Sequence, residues 1–264
     1  MLSKIIMLFD KEKFKKEFNT QGYSILENVL STDFVSKIKG ELTNAIEQEV
    51  NYHAKNDYID FGMVMLCSLY GGSFIDILDN PRITEPFNLI LGDGCIIYAY
   101  TSSSMPPHRT NYSARIHVDC PRLIPGYITN MAATILLDDF TEENGAMWYL
   151  PYSQDLMEAP SNEYFLKNAK RLIEKAGTAI FFNSRIWHMG GHNKTNKWRH
   201  ALTFNISRPW MKQRIDIPRA MSNMDISSYS EVALQKLGFL SQVPASYDEY
   251  YVPLEKRKYK QKVE

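Results

Sequence analysis

The stretch that most constrains this chain is Arg115-Ile116-His117-Val118-Asp119. In an extended segment, side chains two residues apart project from the same face, so His117 and Asp119 can reach one metal ion. A third ligand has to come from elsewhere, and Ile186-Trp187-His188-Met189-Gly190-Gly191 offers a histidine. Two histidines and one carboxylate form the donor set of non-heme Fe(II) centres, which leaves coordination positions open. Any fold for this sequence has to bring two segments far apart in the chain side by side.

Composition narrows the alternatives. The chain has 264 residues, of which 44% are hydrophobic, enough for a single domain with a substantial core. Lys plus Arg and Asp plus Glu each number 30, so no net charge draws the chain to nucleic acid or to anionic membranes. The basic run Lys256 to Lys262 reads as a solvated tail. Cys67, Cys95 and Cys120 are odd in number and widely spaced, which suggests neither a disulfide framework nor a paired-cysteine metal site. The apolar start, Met1 to Phe9, is short and lacks a cleavage pattern. No apolar run approaches the roughly 18 residues that span a bilayer. The expectation is a cytoplasmic protein that acts on a small molecule, with no nucleic-acid or membrane partner. Nothing in the sequence indicates its oligomeric state.

The pattern of elements changes along the chain. Helices are expected from Asp10 to Phe18, from Ser31 or Thr32 as N-cap to about residue 50, and from Asn80-Pro81 to near Gly92. A strand at Tyr23 to Leu26 follows the break at Gly22. From residue 95 onward short strands alternate with turns, at 95–100, 129–137, 146–150, 177–182, 186–188 and 200–207. Helices are expected near 163–170 and 227–237. Helices first and many short strands after them predict a mainly β fold with flanking helices, a jelly roll or double-stranded β-helix of cupin-like type. One domain is expected over residues 1–264. It divides into N-terminal helices at about 10–92, a jelly-roll core at about 95–210 and a C-terminal helical tail at about 211–264.

Four segments together resemble the phytanoyl-CoA dioxygenase family of Fe(II)- and 2-oxoglutarate-dependent oxygenases. They are Phe14-x3-Phe18-x3-Gly22-Tyr23-x3-Glu27-Asn28-Val29-Leu30, His117-Val118-Asp119, Leu137-Asp138-Asp139-Phe140-Thr141-Glu142-Glu143-Asn144-Gly145-Ala146, and Gly177 to Arg199. The third usually runs on to Pro-Gly-Ser-His, and here Pro151-Tyr152-Ser153-Gln154 stands in its place. The resemblance implies Fe(II) on His117, Asp119 and His188, with 2-oxoglutarate and O2 taking the open positions. It also implies that Arg199 pairs with the distal carboxylate of 2-oxoglutarate, because a guanidinium fork matches a carboxylate. Related halogenases carry a small residue at the position of Asp119, so a carboxylate there favours hydroxylation, or another oxidation such as desaturation or ring closure.

Other residues are weighed against ordinary structural roles. His192 and His200 compete with His188 for the metal, but His188 has the family's spacing to Arg199 and alternation turns His200 to the opposite face. Thr134 and Tyr98 are candidates to touch 2-oxoglutarate, with burial in the core as the ordinary alternative. His108, Arg109, Arg115 and His192 are candidate substrate contacts on loops, and a solvated loop explains them equally well. The Tyr and Met residues between 52 and 74 could form a lid, or simply core. The expected function is hydroxylation of an unactivated C–H bond of a small organic molecule, with release of succinate and CO2. The alternatives are a metal- and 2-oxoglutarate-binding sensor or scaffold, and a cupin-like metal enzyme with no cosubstrate.

Overall fold

A computed structural model describes residues 9–56, 63–253 and 255. In chain order the elements are α1 (Lys11–Gln21), β1 (Tyr23–Leu26), α2 (Thr32–Asn56), α3 (Ser73–Asp76), α4 (Pro81–Leu91), β2 (Ile96–Ser102), β3 (Asn130–Leu136) and β4 (Trp148–Tyr149). They continue with α5 (Asn162–Asn168), β5 (Lys170–Arg171), β6 (Ala179–Asn183), β7 (His188–Met189), β8 (Ala201–Ser207), α6 (Ile217–Ala220), α7 (Glu231–Leu237) and α8 (Tyr247–Tyr250). Local chemistry sets several boundaries. The Asp10 carboxylate accepts the Lys13 N–H to start α1, and Gly22 ends it at φ 88°, a left-handed conformation that glycine adopts without a steric penalty. Ser31 Oγ accepts the Phe34 N–H at 3.2 Å, which settles the choice of N-cap for α2. Asn80 caps α4, with Pro81 in its first turn.

The strands form two antiparallel sheets. The larger runs β1-β6-β3-β8-β2 and the smaller β5-β4-β7. An isolated bridge between His117 and His188 extends the smaller sheet by the metal-motif segment. One face of the larger sheet carries Met131, Ala133, Ile135, Phe181 and Phe204 into a core shared with Phe14, Phe18, Ile38, Leu42 and Phe87 of the helices. Its other face carries Ala132, Leu136, Ile180 and Phe182 towards Tyr149 of the smaller sheet. Every residue of β3 is buried, because both faces of the strand are covered. A further cluster of Leu150, Phe165 and Trp187 lies under α5. The architecture is the expected jelly roll with flanking helices.

Three expectations change in detail. The strands at 146–150 and 186–188 shrink to the two-residue β4 and β7. The C-terminal helix divides, with α7 starting at Glu231. Of the proposed lid, Tyr52, Tyr58 and Phe61 lie outside the residues whose side chains are described. The described part is core: Met63 and Phe74 are buried, and Phe74 meets Tyr70 and Tyr100 edge-on or tilted. The basic run at 256–262 also lies outside the described residues. Among the described residues, no helix is long and apolar enough to cross a membrane.

Phe181 joins helices to sheet, with its ring 5.5 Å from Phe14 and 5.3 Å from Phe87. Phe181→Ala is expected to cost about 3–5 kcal/mol, as large core truncations do. Val243→Ala, at an exposed position, should stay within about 0.5 kcal/mol of the parent. Chemical denaturation of both variants measures the contrast.

Candidate metal centre

The metal-motif segment has too few paired residues to count as a strand, yet it is held firmly. His117 N–H donates to the His188 carbonyl and His188 N–H returns the bond to His117, both at 3.0 Å. Cys120 N–H donates to Ser184 O at 2.9 Å and Gly190 N–H to Ser113 O at 2.8 Å, so the two segments run antiparallel on either side of the pair. The imidazole rings lie with centroids 4.2 Å apart. His117 Nε2 is 3.6 Å and His188 Nε2 3.8 Å from Asp119 Oδ1. One ligand atom from each residue lies within 4.8 Å of the others, close enough for one ion to take all three.

Each histidine is oriented by its own backbone. His117 Nδ1 lies 2.7 Å from Arg115 O and His188 Nδ1 3.0 Å from Ile186 O. A carbonyl only accepts, so each Nδ1 carries the proton and each Nε2 keeps its lone pair for a metal. Burial, and then the neighbouring His188, push the pKa of His117 down to about 4, against the pull of Asp119. The ring is therefore neutral near pH 7, the form that binds metal. His188 is 3% exposed, stacked against Tyr149 at 5.4 Å and edge-on to Phe182 at 5.1 Å.

A polar chain continues behind the carboxylate. Asn205 Nδ2 donates to Asp119 Oδ2 at 3.4 Å, and Asn130 Nδ2 donates to Asn205 Oδ1 at 3.3 Å. Neither asparagine was singled out for the site from sequence. The signal was present: Asn205 is on β8 at an even spacing from Arg199, so alternation puts both on one face.

Arg199 is 2% exposed. Its guanidinium lies 4.2 Å above the Phe140 ring, and Nη2 reaches Gly145 O only at 3.5 Å. Nε and Nη1 are buried without a partner. Burial lowers the pKa to about 10, with Asp138 opposing, so the group stays cationic at neutral pH. A buried cation with unmatched donors is a costly arrangement unless an anion completes it. Thr134, fully buried, donates from Oγ1 to Met147 Sδ at 3.5 Å, and Tyr149 donates to the same sulfur at 3.7 Å. Two hydroxyls on a weak thioether acceptor can turn to a better one. Glycines make room beside this site: a Cβ on Gly191 would sit 2.8 Å from Ala146 O and from the Gly145 Cα.

Of the other candidates, only Arg115 is shown in contact with a donor residue. His200 faces away, with Nδ1 3.1 Å from Ser104 Oγ and its ring parallel to Trp198. Tyr98 lies where the β2–β8 register shifts between Ile97 and Ala99, so simple alternation does not carry from Tyr98 to Tyr100. Tyr100 packs into the helix-side core. His108, Arg109 and His192 are exposed, on segments paired through His108 N–H to Thr195 O and Asn193 N–H to Arg109 O, further along the ladder from His117. Arg115 is exposed beside the centre and lends its carbonyl to His117.

The two-histidine, one-carboxylate donor set and the buried, unmatched guanidinium fit Fe(II), 2-oxoglutarate and O2. Comparison with known proteins agrees. The uncharacterized protein Rv1501 of Mycobacterium tuberculosis is 27% identical over 257 residues, covering 94% of each chain. The crystal structure of EctD from S. alaskensis with 2-oxoglutarate and 5-hydroxyectoine superposes with a TM-score of 0.63 at 17% identity, covering 77% of this chain and 78% of that one. The epimerase SnoN, in complex with Fe3+, alpha ketoglutarate and nogalamycin RO, gives a TM-score of 0.58 at 16% identity, covering 78% and 87%. These two structures share the fold. The profile of the phytanoyl-CoA dioxygenase (PhyH) family matches residues 18–201, well over half of the sequence, and the chain belongs to that family.

Proposed function

We propose that this non-heme Fe(II)- and 2-oxoglutarate-dependent oxygenase hydroxylates an unactivated C–H bond of a small organic molecule, releasing succinate and CO2. The observation that carries the reading is the joint one. Three metal donors converge within 4.8 Å, and a buried guanidinium with two unmatched N–H donors lies in the same fold. His117 Nε2, His188 Nε2 and Asp119 would hold Fe(II), and Arg199 with Thr134 would hold the distal carboxylate of 2-oxoglutarate. When bound, metal and cosubstrate supply the oxidative chemistry, in which O2 is activated as 2-oxoglutarate is decarboxylated. The chain's own contribution is positional. The two Nδ1–H···O=C bonds fix both rings, Asn205 fixes the carboxylate, and Tyr149 and Phe182 exclude water from His188. A carboxylate at position 119 fills the coordination position that a halide would need, which supports oxygen transfer over halogenation.

A cavity of about 340 Å³ is bounded by Cys120, Arg122, Tyr127, Asn130 and Arg185; it shares Asn130 with the polar chain behind Asp119, and none of the three metal donors lines it. That volume lies in the range of small-molecule sites. The zero net charge supports neither a nucleic-acid nor a membrane partner. Three free, buried thiols suit a reducing cytoplasm.

Anaerobic addition of Fe(II) and 2-oxoglutarate should produce the weak visible charge-transfer band of the chelate. His188→Ala should abolish the band. Arg199→Gln should weaken 2-oxoglutarate binding by roughly 10–100-fold, the worth of a lost charged hydrogen bond. A well-folded protein that shows no band refutes the assignment. A band with no succinate from any candidate substrate points instead to a sensor or scaffold.

Asn205→Ala leaves all three ligands in place but frees the carboxylate. Fe(II) affinity is expected to fall by about 10–100-fold, as for other residues that orient metal ligands. Metal titration reads this directly, and unchanged affinity would show that Asn205 does not orient Asp119.

A further inference from the structure

Far from the metal centre, an amine and a thiol are buried together. Lys236, on α7, is 2% exposed, and Cys95, just before β2, is fully buried. Lysine is rarely buried to this degree. Lys236 Nζ donates to Asn88 Oδ1 at 2.6 Å and to Cys95 O at 3.4 Å, and it lies 3.0 Å from Cys95 Sγ. The thiol in turn points at Asn88 Oδ1, 3.6 Å away. The pair is held from two sides, by α4 through Asn88 and by α7 through Lys236. Neither atom has to move far to meet the other.

The other two thiols are in different company. Cys67 Sγ faces the Val64 carbonyl and Cys120 Sγ faces the Thr129 hydroxyl. Beside Lys236 runs a cleft of about 340 Å³ lined by Asn88, Asp93, Gln235 and Lys236, with exposed Glu231 and Val232 at its rim. Lys236 lines this cleft, and Cys95 does not. Burial pushes the Cys95 thiol up, while the adjacent Lys236 charge pulls it down. On balance burial wins and the thiol stays raised, so it is the adjacent amine, not thiolate character, that sets Cys95 apart from the other two cysteines.

We propose that Cys95 and Lys236 form an oxidative cross-link site, at which hydrogen peroxide joins Sγ to Nζ through one bridging oxygen. In the first step the thiol gives two electrons to one peroxide, yielding a sulfenic acid and one water. In the second step the neutral amine gives two electrons to a second peroxide. Nitrogen bonds to the sulfenic oxygen, one N–H and the O–H hydrogen leave, and two waters form. If Lys236 starts as an ammonium, one proton also passes to solvent. The observed 3.0 Å separation is too long for a direct S–N bond and suits two single bonds meeting at an oxygen. The link would tie α7 to the start of β2, independently of the metal centre.

The test is intact-mass and peptide analysis of the full-length protein, metal-free and treated with hydrogen peroxide. The expected product has gained one oxygen and lost two hydrogens. Trypsin no longer cuts after Lys236, the peptides carrying Cys95 and Lys236 stay joined, and a thiol reductant reverses all three signs. Cys95→Ala and Lys236→Met should lack the product. Lys236→Arg, which keeps the charge, should lack it too should the Met variant fold poorly. Whole-oxygen additions at Cys95 with normal cleavage after Lys236 would overturn the proposal. So would loss of two hydrogens without oxygen gain, or an unmodified Cys95.

Discussion

The reciprocal backbone bonds between His117 and His188 are the contact on which the functional centre depends. They join residues far apart in sequence, so their formation carries a loop-closure cost that local structure cannot meet. The rungs on either side, Cys120 to Ser184 and Gly190 to Ser113, share that cost and set the register. A slip of one residue would turn His117 and Asp119 to the opposite face and dissolve the triad. Side-chain geometry then follows from the backbone. Each imidazole is fixed by a carbonyl two residues earlier in its own segment, so the same extended conformation that builds the ladder also aims the rings.

The larger sheet answers two demands at once. One face of β3, β6 and β8 is apolar apart from Asn183 at the end of β6, and it packs on the helices. The opposite face mixes apolar residues with Asn130, Thr134 and Asn205. Buried polar groups destabilise a fold unless they are hydrogen-bonded, and here the bonds run towards Asp119 or stop at a methionine sulfur. The helix-side core supplies the stability that lets the inner face stay imperfectly satisfied. β3 is thus buried along its whole length although its two faces do different work.

The legible part of the sequence was what strand alternation, capping and spacing control. The shared face of His117 and Asp119, the outward-facing His200, the Gly22 stop and the Asn80 cap follow from rules that act over a few residues, whereas His188 rests on the family's spacing to Arg199. What escaped was set by partners distant in the chain. The strands expected at 146–150 and 186–188 shrink to β4 and β7 because only two residues of each pair, β4 with both β5 and β7. Tyr98 sits at a register shift that depends on β8. Phe74 reads in sequence as lid or core, and it is core because Tyr70 and Tyr100, from different elements, pack against it. Asn205 could have been found by carrying alternation along β8 from Arg199.

Arg199 shows how function can be stored as an unmet need. The guanidinium keeps its charge despite burial, and its contact with Phe140 recovers about 0.5–2 kcal/mol at most. Each unmatched buried donor costs about 1–3 kcal/mol, so the ring alone does not balance Nε and Nη1. A carboxylate arriving at this position gains more than a new ion pair, because it also removes a penalty the folded chain already carries. Binding and folding are then linked, since a ligand that binds only the native state raises its stability. The same reasoning separates Arg199 from surface arginines. An exposed guanidinium trades water for a carboxylate at little profit. This one is buried at Nε and Nη1 without a protein partner, and it sits beside Phe140, Gly145 and the close approach of Gly191.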